Sequence, residues 1–333
     1  MKLRIGTRGS DLAMTQSGWV AAELAKSGLE TELVVISTSG DRSSAPSFGA
    51  IGPQGVFVRE IEQALIDGEI DLAVHSCKDL PTTSPDALVI AAVPPRRDPA
   101  DWLLYRKSGQ TPFRLGQTPL RFDGSIGPQP ERGLTQPERG LTLPLPANAV
   151  VGTSSARRQA WLAHWRGDLD VRPLRGNVPT RIRRLADGDF DAILLAGAGI
   201  ERLTESSAVL ENSLAGVERL RLDPRAFVPA PAQGALAVQC REGDSAIREA
   251  LATIEDPATR AAVDLERRAL ALAEGGCNTA FGAYARRIDD GFELIVMTEI
   301  DGRIAATGVA GNESADLEAE AMRRLQAQAG SAA

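Results

Sequence analysis

The chain has 333 residues and a mass of 35.3 kDa, which at about 150 residues per domain predicts two or three domains. Its 43% hydrophobic and 24% charged residues are typical of a globular protein, and the net charge of −7 excludes nucleic-acid binding through overall charge. No apolar run reaches the ~18 residues of a membrane span, and the first residues lack the apolar stretch of a secretory signal. The sequence therefore predicts a cytoplasmic protein with neither a membrane nor a nucleic-acid partner.

Histidine and cysteine are scarce, which restricts the possible chemistry. The histidines are His75 and His164, and the cysteines are Cys77, Cys240 and Cys277, with no C-x-x-C pair among them. Such spacing argues against a zinc site and against a disulfide framework. We therefore expect no metal. A cysteine hydrolase would need one of the two histidines to be brought to Cys277 by the fold.

The first third of the chain alternates strand and helix signals. In order, the pattern predicts a strand at 3–5, a helix capped by Ser10, a strand at 33–36, a long loop at 37–55, a helix from about 56 and a strand at 70–74. Strands that alternate with helices in this way form a parallel sheet covered by helices.

The same alternation resumes after residue 149. It predicts a strand ending at Gly152, a helix from Ser155 to about Trp165, a strand at 170–172, a helix at 179–186, and strands at 190–195 and 235–240. From 243 onward, two helices, three strands at about 280–287, 292–300 and 303–310, and a terminal helix at 313–328 indicate a small α+β domain.

An insertion at about 106–147 separates the two regions. It has few large apolar residues, and the heptapeptide QPERGLT at 129–135 recurs unchanged at 136–142. Each copy contains a proline and a glycine, so the repeat does not continue a helix. Two copies are also too few to form a solenoid. We interpret the insertion as a loosely ordered surface segment.

Arginines are concentrated between 151 and 184, a segment that contains eight arginines and only two aspartates. Arg157 and Arg158 lie in the first turn of a predicted helix, and Arg175 and Arg181 flank the next strand-to-helix turn. Guanidinium groups bind carboxylates and phosphates in bidentate fashion, and ligands of parallel sheets bind at the carboxyl edge, where both turns fall. A solvated basic face is the alternative interpretation.

The first region repeats this design at its own sheet edge. Arg8 and Ser10 follow the first strand, while Lys78 and Asp79 follow the third and precede Pro81. If the two edges face each other, the arginines converge on a cleft suited to a ligand with several carboxylates. Asp79 would stay ionised there and could stabilise a developing positive charge, although a Lys-Asp pair alone is a weak signal.

Cys277 stands in a Gly-Gly loop between a predicted helix and a strand. The glycines leave room around its sulfur and allow the loop to reach over a ligand, but a lone loop cysteine is also common without any function. Cys240, by contrast, alternates within a strand and is expected in the core.

Taken together, the segments resemble the porphobilinogen deaminase (hydroxymethylbilane synthase) family. The matching segments, in chain order, are RIGTRGS at 4–10, GVFVRE at 55–60, VHSCKDLP at 74–81, VGTSSARRQ at 151–159, LRGNVPTR at 174–181, DAILLA at 191–196, PAQGA at 231–235 and EGGC at 274–277. The resemblance spans about 3–310 apart from the insertion.

The resemblance implies an enzyme of tetrapyrrole (heme) biosynthesis that joins four porphobilinogen units head to tail into hydroxymethylbilane, releasing ammonia. It implies a dipyrromethane cofactor held by a thioether to Cys277, with Asp79 as the catalytic carboxylate. The cofactor-binding positions it implies are Ser76, Lys78, Thr153, Ser154, Ser155, Arg157, Arg158 and Gln233. The substrate-binding positions are Arg8, Ser10, Arg175 and Arg181.

The implied architecture is a monomer of three domains. Two periplasmic-binding-protein-like α/β domains, 1–97 with 232–248 and 98–231, surround the cleft, and a small α+β domain at 249–333 carries Cys277. One departure is Gln54, which stands where the family commonly has a lysine. A solute receptor with two α/β halves and an inactive relative of the enzyme are the alternative interpretations.

Overall fold

The computed structural model describes residues 2–36, 58–106, 142–206, 208–274, 280–312 and 315–330. The strands are β1 (Lys2–Thr7), β2 (Glu30–Val35), β3 (Leu72–Ser76), β4 (Leu88–Ala92), β5 (Asp101–Arg106), β6 (Val150–Gly152), β7 (Asp170–Arg172), β8 (Ala192–Ala196), β9 (Val217–Arg221), β10 (Leu236–Arg241), β11 (Phe281–Ile288), β12 (Gly291–Ile300) and β13 (Arg303–Gly311). The helices are α1 (Asp11–Lys26), α2 (Arg59–Ile66), α3 (Ala156–Trp165), α4 (Val178–Ala186), α5 (Gly197–Ser206), α6 (Ala208–Ser213), α7 (Ser245–Ala252), α8 (Pro257–Glu274) and α9 (Leu317–Gly330).

Two of the three sheets share one plan. The first has the strand order β2-β1-β3-β10-β4 and the second has the order β7-β6-β8-β5-β9. In each sheet the first three strands are parallel, and the fourth strand, β10 or β5, runs antiparallel to both of its neighbours. A sheet edge where parallel strands end is therefore also where one antiparallel strand begins.

The third sheet, β11-β12-β13, is an antiparallel meander. Its central strand β12 is buried on both faces because alternate residues pack in different directions. Leu294 and Val296 face helices α8 and α9, whereas Ile295 and Met297 join the core of the second sheet beside Trp161. The small α+β unit is thus packed directly against the second α/β unit.

The predicted fold class is confirmed: two α/β units of the same plan and a small α+β unit. Helix α3 and strand β7 have the predicted bounds, and the three C-terminal strands agree within one residue. The sequence analysis did not identify β4, β5, β9, α5 or α6. It predicted β10 as a strand at 235–240, but it did not predict that this strand runs antiparallel to its neighbours. The predicted loop at 37–55 and most of the insertion lie outside the described residues.

The two passages of the chain between the α/β units cross at Gly234. The Arg97 amide donates to the Gly234 carbonyl at 3.2 Å, and the Arg96 Nε donates to the Gln233 carbonyl at 2.8 Å. Gly234 has φ +91°, and a Cβ there would lie 2.5 Å from the Arg97 carbonyl oxygen. Glycine is required because the backbones approach so closely at this crossing.

A buried carboxylate attaches the third unit to this crossing. Glu266 of α8 is fully buried and accepts two hydrogen bonds from the Arg96 guanidinium at 2.7 and 3.0 Å. It also accepts from the amides of Ala232 at 2.6 Å and Ala285 at 2.8 Å. Four hydrogen-bond donors compensate the cost of burying this charge. Because the donors Arg96 and Ala232 lie on the two passages, these bonds hold α8 against both of them.

His75 is a core histidine of β3 rather than a ligand or base in the described residues. It is 7% exposed, and its Nε2 lies 3.1 Å from the Gln239 side-chain oxygen; Gln239 in turn donates to Glu62 at 3.0 Å. Burial lowers the pKa of His75 to about 4. The imidazole is therefore neutral at neutral pH.

Because His75 is buried in its neutral form, we expect acid to lower the free energy of unfolding. The unfolded chain binds the proton at its ordinary pKa near 6.5, so the stability contribution is complete above about pH 6.5 and declines toward pH 4. A shift of this size corresponds to about 3 kcal/mol of unfolding free energy. Urea denaturation at several pH values gives the free energy of unfolding as a function of pH. In His75→Gln, the decrease of this free energy between pH 6.5 and pH 4 should be smaller than in the wild type. Equal slopes in the variant and the wild type would contradict the assignment.

Candidate active site

Arg8 and Ser10 occupy the turn from β1 into α1, at the carboxyl edge of the first sheet. Both residues are half-buried. The Ser10 hydroxyl caps α1 by accepting a hydrogen bond from the Ala13 amide at 3.4 Å. The structure thus assigns Ser10 a local capping contact, and any contact of Ser10 with substrate remains a prediction.

Ser76, Lys78 and Asp79 lie at the same edge because β3 is parallel to β1. A short 3-10 helix follows β3 over Cys77–Asp79; within it, Cys77 is buried, Lys78 is half-buried and Asp79 is exposed. The Ser76 hydroxyl accepts from the buried Gln16 amide of α1 at 2.9 Å. This turn therefore presents the Asp79 carboxylate outward while it keeps the Lys78 ammonium partly inside.

The hydroxyl residues before α3 stabilise their own turn. Ser155 caps α3 by accepting from the Arg158 amide at 3.4 Å, and the buried Thr153 hydroxyl accepts from the Ser155 amide at 3.2 Å. The Ser154 hydroxyl bonds both the amide and the carbonyl of Leu174 at 3.0 Å. These contacts join the ends of β6 and β7 and fix where α3 begins.

Arg157 and Arg158 are buried and share one carboxylate, Asp101. The Arg157 Nη2 lies 2.7 Å from Asp101 Oδ2, and the Arg158 Nη2 and Nε lie 2.7 and 3.1 Å from Oδ1. Each guanidinium also donates to a backbone carbonyl: Val228 at 2.7 Å and Leu194 at 3.0 Å. These contacts hold both arginine side chains in place. Some of their N–H groups already donate to Asp101 and to backbone carbonyls within the protein.

Gln233 connects the two sheets at this point. Its side-chain nitrogen donates to Asp101 at 3.0 Å and to the Pro99 carbonyl at 2.7 Å, and its oxygen accepts from Lys78 Nζ at 3.4 Å. Asp101 and Gln233 lie at the carboxyl ends of the parallel strands because the antiparallel strands β5 and β10 begin at that edge of each sheet. The structure thus brings Lys78, Gln233, Arg157 and Arg158 into one network.

The sequence analysis missed Asp101, which is the centre of that network. Burial opposes its ionisation, but the Arg157 and Arg158 guanidinium groups outweigh this and hold the pKa of the carboxyl well below its ordinary value. The available signal was the excess of arginines, which need an internal counter-charge if they are buried. Nothing in the local sequence around Asp101 distinguishes it from a surface aspartate.

Arg181 extends the positive field toward the second turn. Arg175 is exposed, whereas Arg181 is half-buried and donates from Nε to the Gly176 carbonyl at 2.7 Å. Burial and then the neighbouring Arg158 charge lower the pKa of Arg181, and burial lowers that of Lys78 despite the opposing effect of Asp79. Both shifts indicate cations gathered where water is partly excluded.

Cys277 lies outside the described residues, as does Gln54. Helix α8 ends at Glu274, three positions before this cysteine. Among the described residues, no three His, Cys, Asp or Glu side chains are grouped as metal ligands, and no helix has the length and apolarity needed to cross a membrane. Cys77 and Cys240 are buried free cysteines, so Cys240 lies in the core, as predicted.

A further buried arginine, Arg202 of α5, also escaped the sequence analysis. It is 9% exposed and donates to the Gly234 carbonyl at 2.8 Å, and burial lowers its pKa to about 10. It borders a cavity of about 340 Å³ between α1 and α5, whose lining includes Trp19 and Arg97. None of the predicted site residues lines this cavity.

The chain matches a family model described as "Porphobilinogen deaminase, dipyromethane cofactor binding domain" over residues 3–249. It is 44% identical over 302 residues to porphobilinogen deaminase from Nocardia farcinica, covering 91% of this chain and 73% of that protein. Its identity to the Mycobacterium marinum enzyme of that name is 43%, covering 91% and 81%.

A solved structure, the periplasmic VFT2 domain of Bordetella pertussis BvgS, is similar over 76% of this chain and 86% of that one. The identity is 12% and the TM-score is 0.38, so this likeness carries no argument about function. The family model covers more than half of the chain, and both relatives exceed 40% identity over most of their length. The chain therefore belongs to the porphobilinogen deaminase family.

Proposed function

We propose that this protein condenses four porphobilinogen molecules head to tail into hydroxymethylbilane on a covalently bound dipyrromethane. The observation that carries this proposal is the cluster formed by Lys78, Arg157, Arg158 and Arg181, which is partly or fully buried and contains Asp101 as its internal counter-charge. The four cationic side chains exceed the single carboxylate of Asp101 in charge. In a site from which water is partly excluded, this excess positive charge favours a ligand with several carboxylates.

The residues present fit a dipyrromethane. Two linked pyrroles carry four carboxylates, and the cluster offers guanidinium and ammonium donors of the kind that bind them. We propose that Ser76, Lys78, Thr153, Ser154, Ser155, Arg157, Arg158 and Gln233 hold this group, with Cys277 as its thioether attachment. When bound, the group supplies the free pyrrole carbon from which the chain grows.

Arg8, Ser10, Arg175 and Arg181 are proposed to bind the carboxylates of incoming and added units. In each addition, the bond between the aminomethyl carbon and its nitrogen breaks and ammonia leaves. A carbon–carbon bond forms between that methylene and a free pyrrole carbon, which loses its proton. Positive charge develops on pyrrole nitrogen during this exchange, and we propose that the Asp79 side chain stabilises it.

The domain limits, the cellular site and the oligomeric state are parts of the same proposal. We propose domains at 1–97 with 232–248, 98–231 and 249–333, and the membership of β10 in the first sheet supports the first of them. We propose a cytoplasmic monomer, which is what the resemblance to the family implies.

The test is to supply purified protein with porphobilinogen and to measure substrate, ammonia and product together. The proposal predicts one ammonia for each porphobilinogen consumed and four porphobilinogen molecules for each hydroxymethylbilane formed. Saturable binding without ammonia release would instead favour a solute receptor or an inactive relative.

A further inference from the structure

Helix α8 crosses the turn that carries Asp79. Arg267 of α8 is half-buried, and it donates from Nη1 to the Leu80 carbonyl at 3.3 Å and from Nη2 to the Pro81 carbonyl at 2.6 Å. These are the two carbonyls that directly follow Asp79. One rigid guanidinium fork therefore spans the backbone on the C-terminal side of the carboxylate.

The same helix packs beneath the turn. Val263, one helical turn before Arg267, lies in a buried cluster with Cys77 and Leu80. Within the turn, the Leu80 amide donates to the Cys77 carbonyl at 3.2 Å. From outside the turn, the Ala235 carbonyl accepts from the Cys77 amide at 3.0 Å. The position of Asp79 thus depends in part on the contacts that α8 makes with the turn.

Arg267 differs from the neighbouring arginines of its helix. Arg260 forms an ion pair with Glu255 at 2.7 Å, and Arg268 forms one with Glu318. Among the described residues, Arg267 forms no such pair within 4 Å, and its hydrogen bonds go to the turn. Because a charged donor to a carbonyl is stronger than a neutral one, this contact restrains the turn effectively.

We propose that Arg267 is a positioning residue for Asp79, holding the turn of residues 77–81 in register with helix α8. That helix ends at Glu274, three positions before Cys277 in the sequence. The inference rests on the proposed function, because it assumes that Asp79 acts in turnover.

The expected effect of Arg267→Gln is a loss of kcat of about ten- to a hundredfold with KM changed less than about twofold. Small displacements of a reacting group have effects of this order. Arg267→Lys, which keeps the charge but loses the fork, should recover part of the rate. The matched control is Arg268→Gln, on the same helix, which should leave kcat and KM at wild-type values.

Two further measurements separate positioning from a general structural role. In the Asp79→Asn background, Arg267→Gln should add less than about twofold, because both changes act through one group. Hydrogen exchange of the purified protein should be faster in Arg267→Gln at the Cys77, Lys78, Asp79 and Leu80 amides, and unchanged there in Arg268→Gln. This second readout does not require turnover.

The proposal is overturned by an unchanged kcat in Arg267→Gln, by a rise in KM alone, or by effects that multiply independently with those of Asp79→Asn. Unchanged exchange across the turn would also overturn it. If Asp79→Asn itself has normal turnover, the proposed role of Asp79 fails, while the exchange experiment still tests the contact between Arg267 and the turn.

Discussion

Asp79→Asn should reduce kcat by about 10²- to 10³-fold, the usual loss when one group that stabilises transition-state charge is removed. The asparagine side chain has nearly the same shape but no charge, so it cannot stabilise the positive charge that develops on pyrrole nitrogen. Asp79→Glu keeps the charge but displaces it, and we expect an intermediate rate. The measurement is steady-state ammonia release at saturating porphobilinogen.

The exposure of Asp79 makes this a clean test. Substitutions at exposed positions generally change the free energy of unfolding by less than about 0.5 kcal/mol. Both variants should therefore keep the wild-type urea midpoint and the covalent cofactor. Normal turnover in Asp79→Asn would refute the catalytic role assigned to this carboxylate.

Asp101→Asn should have the largest effect on stability, lowering the free energy of unfolding by about 3–5 kcal/mol. The substitution leaves Arg157 and Arg158, each 6% exposed, without their counter-charge. Two buried guanidinium groups would then repel each other. Because asparagine has one side-chain oxygen in place of two, Arg157 and Arg158 could no longer each have a separate acceptor at this position. Urea denaturation measures the loss, and intact mass spectrometry measures the accompanying fall in the fraction of molecules carrying the cofactor.

Asp170→Asn is the matched control for Asp101→Asn. Asp170 forms an ion pair with Arg172 in the same sheet, but both side chains are exposed. Exposed ion pairs contribute little to stability, so this variant should unfold at nearly the wild-type urea concentration. Equal stability of Asp101→Asn and Asp170→Asn would contradict the central place given to the buried carboxylate.

Local signals predicted much of the fold. The caps Ser10 and Ser155, together with the periodic helices that follow, placed α1 and α3 correctly because capping is decided within three or four residues. The antiparallel direction of β5 and β10 was not predicted, since it depends on pairing with partners far away in the chain. The Leu236–Ser76 pair, for example, forms only once the whole first unit has folded.

The site shows the same division between local and distant causes. Arginine density and the two strand-to-helix turns pointed to Arg157, Arg158 and Arg181 without the structure. The end of the third predicted strand pointed to Lys78. Asp101 could not be found this way, because it lies 57 residues from Arg158 and has no distinctive neighbours. The partnership of Arg267 with the Leu80 carbonyl, 187 residues away, was equally invisible in the sequence.

The most direct test of the account is the intact mass of the purified protein, compared with that of Cys277→Ser. The account predicts that the wild-type chain exceeds its sequence mass by two linked pyrrole units and that the variant has the sequence mass and no turnover. The Cys77→Ser variant, altered at a buried cysteine of the turn, should keep the added mass. A wild-type chain at its bare sequence mass that still converts porphobilinogen would contradict the account.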